Sequence, residues 1–250
     1  MLRHSQSDTT NEEVHDWSDR FRETGNAEFF AAATDELSER DGRALIGLVG
    51  SCDLPGVALR RAQSILRWDR RPSLWSHAFL LTGSGELREV ALHSRAGHFP
   101  EPARNAVTGA TLEHYADARV DANVALLSVR MEDEEADRVV ARATTNPNLE
   151  RLRYDFFETL GHWYAFLWTR GTPNPLEQGV PHYASSMVEY CFEEILLDLT
   201  PGASDRNSAP EHLWNGARWW SKEFGEFQRP ISGRYVLRDR RCSVLGAEEV

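Results

Sequence analysis

The most informative stretch of this chain is PHYASSMVEY, residues 181–190. Met187, Val188 and Cys191 begin an apolar stripe at helical spacing, which predicts a buried helix over residues 185–199. The first turn of such a helix suits a catalytic thiol, because the unsatisfied N–H groups lower its pKa and bind an oxyanion. The residue there is Ala184, whose methyl group does neither. The alternative interpretation is that Ala184 simply starts a buried helix.

A second informative stretch, WSHAFLL, lies about a hundred residues earlier, at positions 75–81. Its run of apolar residues predicts a short strand that carries His77. A lone histidine on an apolar strand is either a core residue or a general base. A core role is the more common of the two, and the small side chains of Ser76 and Ala78, which leave room beside His77 for a partner, strengthen the second interpretation.

The strand that follows supplies a group to orient His77. A turn over residues 83–85 and an apolar-polar alternation over 87–93 predict a hairpin. Glu89 and His93 share one face of the returning strand, because strand side chains alternate. A general base needs its second ring nitrogen held by an acceptor, and Glu89 could be that acceptor. The alternative for Glu89 is a solvated strand position.

Tyr154 opens an aromatic-rich segment, residues 151–169. A tyrosine hydroxyl can donate a hydrogen bond to an oxyanion, although the same residue could be a core aromatic. The other aromatic residues of this segment could line an acyl-binding groove or belong to the core. The histidines outside the predicted strand show no regular metal spacing, and no phosphate-binding loop is present, so we expect no metal and no cofactor.

Composition limits the classes of protein to which this chain can belong. The 250 residues carry a net charge of -11, which argues against a general nucleic-acid binder. No apolar run approaches the roughly 20 residues of a membrane helix, and the polar first ten residues lack a signal-peptide core. The three cysteines form no paired framework. These features predict a soluble, cytoplasmic protein without a membrane span.

Three regions are expected along the chain: an N-terminal helical extension (residues 1–50), a central domain (51–225), and a C-terminal strand with a mobile tail (226–250). The extension is either an added helical layer or an arm that binds a protein partner, and the tail is a second candidate for a partner contact. Residues 43–49 could be strand or helix. We predict further helices over 57–68, 132–145 and 210–220, further strands over 120–129 and 235–237, and a loop over 94–110.

Six short motifs follow one another in an order that points to a known family: SILRW (64–68), WSHAFLL (75–81), ELREVA (86–91), YDF (154–156), YASSMV (183–188) and PEHLW (210–214). Together they resemble the papain-like NlpC-type cysteine hydrolases in their circularly permuted branch. That branch includes lipoprotein-like amidases and lecithin retinol acyltransferase-like proteins. The resemblance covers roughly residues 54–220 and departs from the family at the nucleophile, where alanine replaces cysteine.

The resemblance implies an α+β, papain-like fold in which a small antiparallel sheet packs on a central helix. It also implies a site in which a thiol at position 184 is activated by His77, with Glu89 as the orienting residue and Tyr154 as an oxyanion donor. We expect the neighbouring side chains to contact substrate: Trp75, Tyr183, Ser185 and His93.

The implied activity is a thiol hydrolase that cleaves an amide or ester bond in a peptide, isopeptide or acyl substrate. Two other functions stay open: a pseudoenzyme that binds a peptide or acyl ligand, and an acyltransferase that works through a thioester. The alanine at position 184 is either an engineered replacement or natural. Retention of His77, Glu89 and Tyr154 favours a replacement, because a lineage without the thiol has no need of the base.

Overall fold

The computed structural model describes residues 14–41, 44–82, 85–90, 107–145, 184–201, 208–224 and 231–246. Within these ranges the protein is α+β, with one seven-stranded mixed sheet. The helices are α1 (Ser18–Phe21), α2 (Asn26–Asp41), α3 (Leu54–Ala62), α4 (Asp133–Thr145), α5 (Ala184–Phe192) and α6 (Pro210–Phe224). The strands are β1 (Val14–Asp16), β2 (Leu45–Ser51), β3 (His77–Leu81), β4 (Glu86–Val90), β5 (Val107–Thr111), β6 (Asp121–Val129) and β7 (Ile231–Leu237).

The strands are ordered β1-β7-β6-β2-β3-β4-β5 across the sheet. All neighbours are antiparallel except β1 and β7, which run parallel. The sheet is therefore larger than the small antiparallel sheet expected from the sequence. The two central strands β2 and β6 are buried along their whole length, which matches their nearly continuous apolar sequences.

Helices cover both faces of the sheet, and strand alternation divides the core into two clusters. One face, here called the α5 face, packs α4, α5 and α6 against residues such as Ile46, Ala78 and Leu80. The opposite face, here called the α2 face, packs α1, α2 and the 3-10 helix Leu112–Tyr115 against Phe79 and Leu81. The alternating side chains of each central strand thus divide between the two faces.

The sequence prediction of a loop over residues 94–110 is wrong at its end, since Val107–Thr111 form strand β5. This strand pairs with β4 at the edge of the sheet. Its sequence, VTGAT, contains one glycine and one large apolar residue, so local pattern carried little strand signal. Residues 43–49, undecided from sequence, contribute most of β2.

Two predicted helices are shorter than their apolar patterns suggested. The helix expected over 57–68 ends at Ala62 and continues as the 3-10 helix Gln63–Leu66. The helix expected over 185–199 ends at Phe192, and a 3-10 turn then leads to Leu196 in a left-handed conformation (φ 56°). Apolar spacing indicates which side of a segment is buried. In both segments this spacing continues beyond the residue at which the backbone changes from α-helix to 3-10 helix.

The segment expected to be a mobile tail contacts the rest of the fold as far as Leu245, whose backbone N–H donates a hydrogen bond to the carbonyl oxygen of Cys52. Arg238 donates hydrogen bonds to the carbonyl oxygens of Phe21 and Thr24 and to the side chain of Asn26. Asp239 accepts one from the buried guanidinium of Arg60 at 2.7 Å. Charged residues suggested solvent exposure, but here they serve as partners for buried polar groups.

In the part of the chain described, none of the helices has the length and apolar character needed to cross a membrane.

Candidate functional site

The β3–β4 hairpin builds the candidate site. Leu80 pairs with Arg88 and Leu81 with Leu87, so residues whose numbers add up to 168 lie opposite one another. This register places Glu89 beside Phe79 and diagonal to His77, all on the α2 face. The pairing of His77 with Glu89 therefore follows from strand alternation and hairpin register.

His77 and Glu89 form a buried pair. The Nε2 atom of His77 lies 2.8 Å from Oε2 of Glu89, and the two residues are 4% and 2% exposed. The structure thus brings together the histidine and the carboxylate that the sequence singled out. The solvated alternative for Glu89 does not describe this structure, because the carboxylate is almost fully enclosed.

Tyr115, which the sequence analysis did not single out, completes the group. Its hydroxyl donates a hydrogen bond to the same Glu89 oxygen that faces His77. The ring stacks on Phe79 with centroids 5.2 Å apart and an angle of 6° between planes. A tyrosine in a short 3-10 helix after an unpredicted strand offered no local signal, so only the tertiary structure could identify it.

The hydrogen bonds decide the charge of Glu89. Burial by itself would raise the pKa of this carboxyl, but the hydrogen bond and charge of His77 and the hydroxyl of Tyr115 outweigh burial. The net result is a pKa below the ordinary value. Glu89 is therefore a carboxylate at neutral pH and accepts both hydrogen bonds.

The other ring nitrogen of His77 is chemically the more interesting one. Since Glu89 is an acceptor, Nε2 carries the proton, and in the neutral ring Nδ1 then holds the lone pair. Within the described residues, Nδ1 is buried and has no hydrogen-bond partner. A buried nitrogen base without a partner is costly, so this atom is available to a partner that the described residues do not supply.

Ala184 lies on the other side of the sheet. It is the first residue of α5 and belongs to the core cluster of the α5 face, where it is 5% exposed. The neighbouring Ser185 donates a hydrogen bond from Oγ to the carbonyl oxygen of Ser208 at 2.6 Å, which anchors the start of the helix. The structure places position 184 at a helix start, as predicted, but not on the face that holds the His77 side chain.

The remaining predicted site residues divide into two groups. Trp75 is fully buried in the core, with its ring centroid 5.0 Å from that of Trp214. Ser185 is also buried. Tyr154, Tyr183 and His93 lie outside the described residues.

The three cysteines of the chain are poor candidates for a nucleophile. All three are free and buried. Burial raises the pKa of the Cys191 thiol to about 12. Burial and the nearby Asp239 carboxylate raise that of Cys52 to about 11, with Arg60 acting in the opposite sense. Such thiols are almost entirely protonated at neutral pH and react slowly.

Among the residues that the structure describes, no cluster of three or more histidine, cysteine or acidic side chains is arranged to hold a metal ion. The sequence matches no model of a known protein family and no curated protein.

Proposed function

We propose that this fold is papain-like and supports hydrolysis of an amide or ester bond by a thiol at position 184, with His77 as the base. The observation that carries the proposal is the difference between the two ring nitrogens of His77. Its Nε2 is held by Glu89 at 2.8 Å, and its buried Nδ1 has no partner in the described part of the chain. A general base in a thiol hydrolase needs this combination of one oriented nitrogen and one free nitrogen.

In the proposed reaction, the thiol at position 184 gives its proton to Nδ1 of His77. The thiolate attacks the carbonyl carbon, His77 returns the proton to the departing amine or alcohol, and water then hydrolyses the thioester. An acyltransferase would run the same first step and replace water by an acceptor amine or hydroxyl. Peptides, isopeptides and acyl amides or esters are all compatible substrates.

The geometry constrains how the two positions would meet. His77 is the first residue of β3 and Ala184 the first residue of α5, and their side chains belong to opposite faces. The thiol would therefore reach His77 around the start of β3 and not across the sheet. The chain with Ala184 lacks the nucleophile, so we expect it to be inactive in any covalent step.

The test is to make Ala184→Cys and measure its alkylation by iodoacetamide at neutral pH, with the modified residue identified by peptide mass mapping. We expect position 184 to react on the order of tenfold or more faster than a thiol in an unfolded peptide, because an imidazole partner raises the thiolate fraction. The unchanged chain provides the background from its three buried cysteines.

The matched controls are Ala184→Cys/His77→Ala and Ala184→Cys/Glu89→Gln. The first should abolish the acceleration, and the second should reduce it. Labelling at the rate of an ordinary exposed thiol, or acceleration that survives the loss of His77, would contradict the hydrolase proposal.

The separation of Ala184 and His77 on opposite faces favours a second candidate, a binding module. Here Nδ1 of His77 accepts a hydrogen bond from the amide of a bound peptide or acyl amide, and no covalent step occurs. This function predicts that short N-acetyl peptide amides or acyl amides shift the ring ¹⁵N resonances of His77 in the unchanged chain. The absence of any shift at millimolar ligand would contradict it.

A further inference from the structure

The surroundings of Tyr115 suggest a role that goes beyond packing. The residue is 6% exposed, its ring stacks on Phe79, and its centroid lies 5.9 Å from that of the His77 ring. The side-chain amide of Asn26 donates to its backbone carbonyl oxygen at 2.8 Å. The ring and the backbone are thus both held, which fixes the position of the hydroxyl.

The hydroxyl and His77 share one acceptor. Both the Tyr115 O–H and the His77 ring point to Oε2 of Glu89. If Glu89 were protonated, it could donate to Nε2, and the neutral ring would then carry its proton on Nδ1. The Tyr115 hydrogen bond stabilises the carboxylate and opposes that alternative.

We propose that Tyr115 is a positioning residue that selects the tautomer of His77 in which Nε2 is protonated and Nδ1 is the base. This inference rests on the proposed function, for which a basic Nδ1 is required. Tyr115 acts through Glu89, whereas His77 is the residue that contacts the reacting groups in the proposed reaction. Its hydroxyl, not its ring, carries this role.

The argument depends on burial. In water, an imidazole exchanges between its tautomers readily, because solvent can pair with either nitrogen. Here His77 and Glu89 are both enclosed, so a single donor to the carboxylate changes how readily Glu89 takes up a proton from solvent, and with it which ring nitrogen faces a donor. Loss of the hydroxyl leaves the Glu89 carboxylate buried with one donor fewer, so Glu89 takes up a proton from solvent at a higher pH than before. The protonated carboxyl then donates to Nε2, and the ring proton lies on Nδ1.

The test compares Tyr115→Phe with Phe79→Leu in the unchanged chain labelled with ¹⁵N-histidine, with His77→Gln used to assign the resonances. Tyr115→Phe removes the hydroxyl and keeps the stacked ring. Phe79→Leu removes the stacking surface and keeps the hydroxyl. The ring ¹⁵N shifts report directly which nitrogen carries the proton, a property that a purely structural role of Tyr115 would not change.

We expect the His77 shifts of the unchanged chain to show predominantly the Nε2-protonated form. Over a pH series, Tyr115→Phe should admit the Nδ1-protonated form at a higher pH than the unchanged chain does, so that the ratio of the two tautomers falls several-fold there. Phe79→Leu loosens the ring but keeps the hydroxyl, so the ratio should fall less in that variant. The proposal is overturned if Tyr115→Phe leaves the shifts unaltered, or if Phe79→Leu alters them as strongly.

A second measurement separates this proposal from the hydrolase proposal. Adding Tyr115→Phe to Ala184→Cys should slow alkylation about tenfold. If Ala184→Cys itself shows no acceleration, the hydrolase proposal fails, while the ¹⁵N measurement still decides the tautomer role. If Ala184→Cys is accelerated and Tyr115→Phe leaves that rate unchanged, Tyr115 has no positioning role.

Discussion

Two buried glutamates show that the balance between burial and neighbouring groups sets the charge of a residue. Glu89 and Glu211 are 2% and 1% exposed. Glu211 accepts hydrogen bonds from Ser73 at 2.6 Å and from Arg67 at 2.9 Å. Burial nevertheless prevails there and raises the pKa of Glu211, whereas the hydrogen bonds prevail at Glu89 and lower its pKa.

These opposite directions predict opposite effects of pH on stability. The ordinary pKa of both carboxyls is 4.5. The pKa of Glu89 is lowered by folding, so its contribution is present above that value and is lost as the pH falls through the folded pKa. The pKa of Glu211 is raised by folding, so its contribution is present below the ordinary value and is lost as the pH rises through the folded pKa.

We therefore expect Glu89→Gln to cost about 1–3 kcal/mol near neutral pH and less near about pH 3. For Glu211→Gln, the cost should change in the opposite direction and shrink as the pH rises. Urea unfolding of the two variants and the unchanged chain at several pH values measures both trends. Parallel pH dependence of the two variants would contradict the electrostatic assignment.

At the scale of elements, the pairing of β2 and β3 shapes the layer beneath the candidate site. Gly47 lies opposite Phe79 in the register, and an added Cβ would lie 2.0–2.6 Å from three atoms of the Phe79 ring. Phe79 in turn stacks on Tyr115 and contacts Phe30. The absence of a side chain at position 47 thus lets an aromatic layer extend from β2 to the hydroxyl that contacts Glu89.

We expect Gly47→Ala to destabilise the protein by about 1–3 kcal/mol, because a ring packed on both sides cannot move aside cheaply. Phe79→Leu should relieve the clash, so the double variant should be less destabilised than the sum of the single variants. Urea unfolding measures all three. Gly25→Ala is the control, since its Cβ would approach nothing nearer than the Ala116 carbonyl oxygen at 3.9 Å.

Two outcomes of the same measurements would contradict this prediction for Gly47→Ala. Equal effects of Gly47→Ala and Gly25→Ala, or strict additivity with Phe79→Leu, would show that the ring has room to move. The aromatic layer would then not hold Tyr115 in place.

For the molecule as a whole, the C-terminal segment joins parts of the chain that are far apart in sequence. Arg60 is fully buried at the end of α3, and its charge is matched by Asp239, whose side chain is 12% exposed. Asn123 of β6 accepts hydrogen bonds from the backbone N–H groups of Arg238 and Asp239. The parallel pairing of β1 with β7 adds the N-terminal segment to the same assembly.

We expect Asp239→Ala to cost about 3–5 kcal/mol, because it leaves the Arg60 charge buried without its partner. Asp239→Asn should be milder, and Arg60→Met combined with Asp239→Ala should recover part of the loss. Urea unfolding at low and high ionic strength measures these effects, which salt should change little for a buried pair. A cost below about 1 kcal/mol would be that of a surface ion pair and would contradict this account.

How much was predictable from sequence depended on the range of the interactions involved. Apolar periodicity located β3, β4, β6, α4 and α6 to within a few residues, and the helix start at Ala184. Alternation and a short hairpin were enough to predict that Glu89 would meet His77, since twelve residues separate them in the chain. These features are encoded in neighbouring residues, where patterns of side chains directly reflect backbone geometry.

Contacts between distant segments were decided by the tertiary structure. Tyr115 reaches Glu89 only because an edge strand with little strand signal pairs with β4, and Asp239 meets Arg60 across 179 residues. The assignment of Ala184 and His77 to opposite faces likewise depends on how α5 packs on the sheet. The physical reason is that such contacts arise from the shared burial of polar and apolar groups, which no local pattern of residues records.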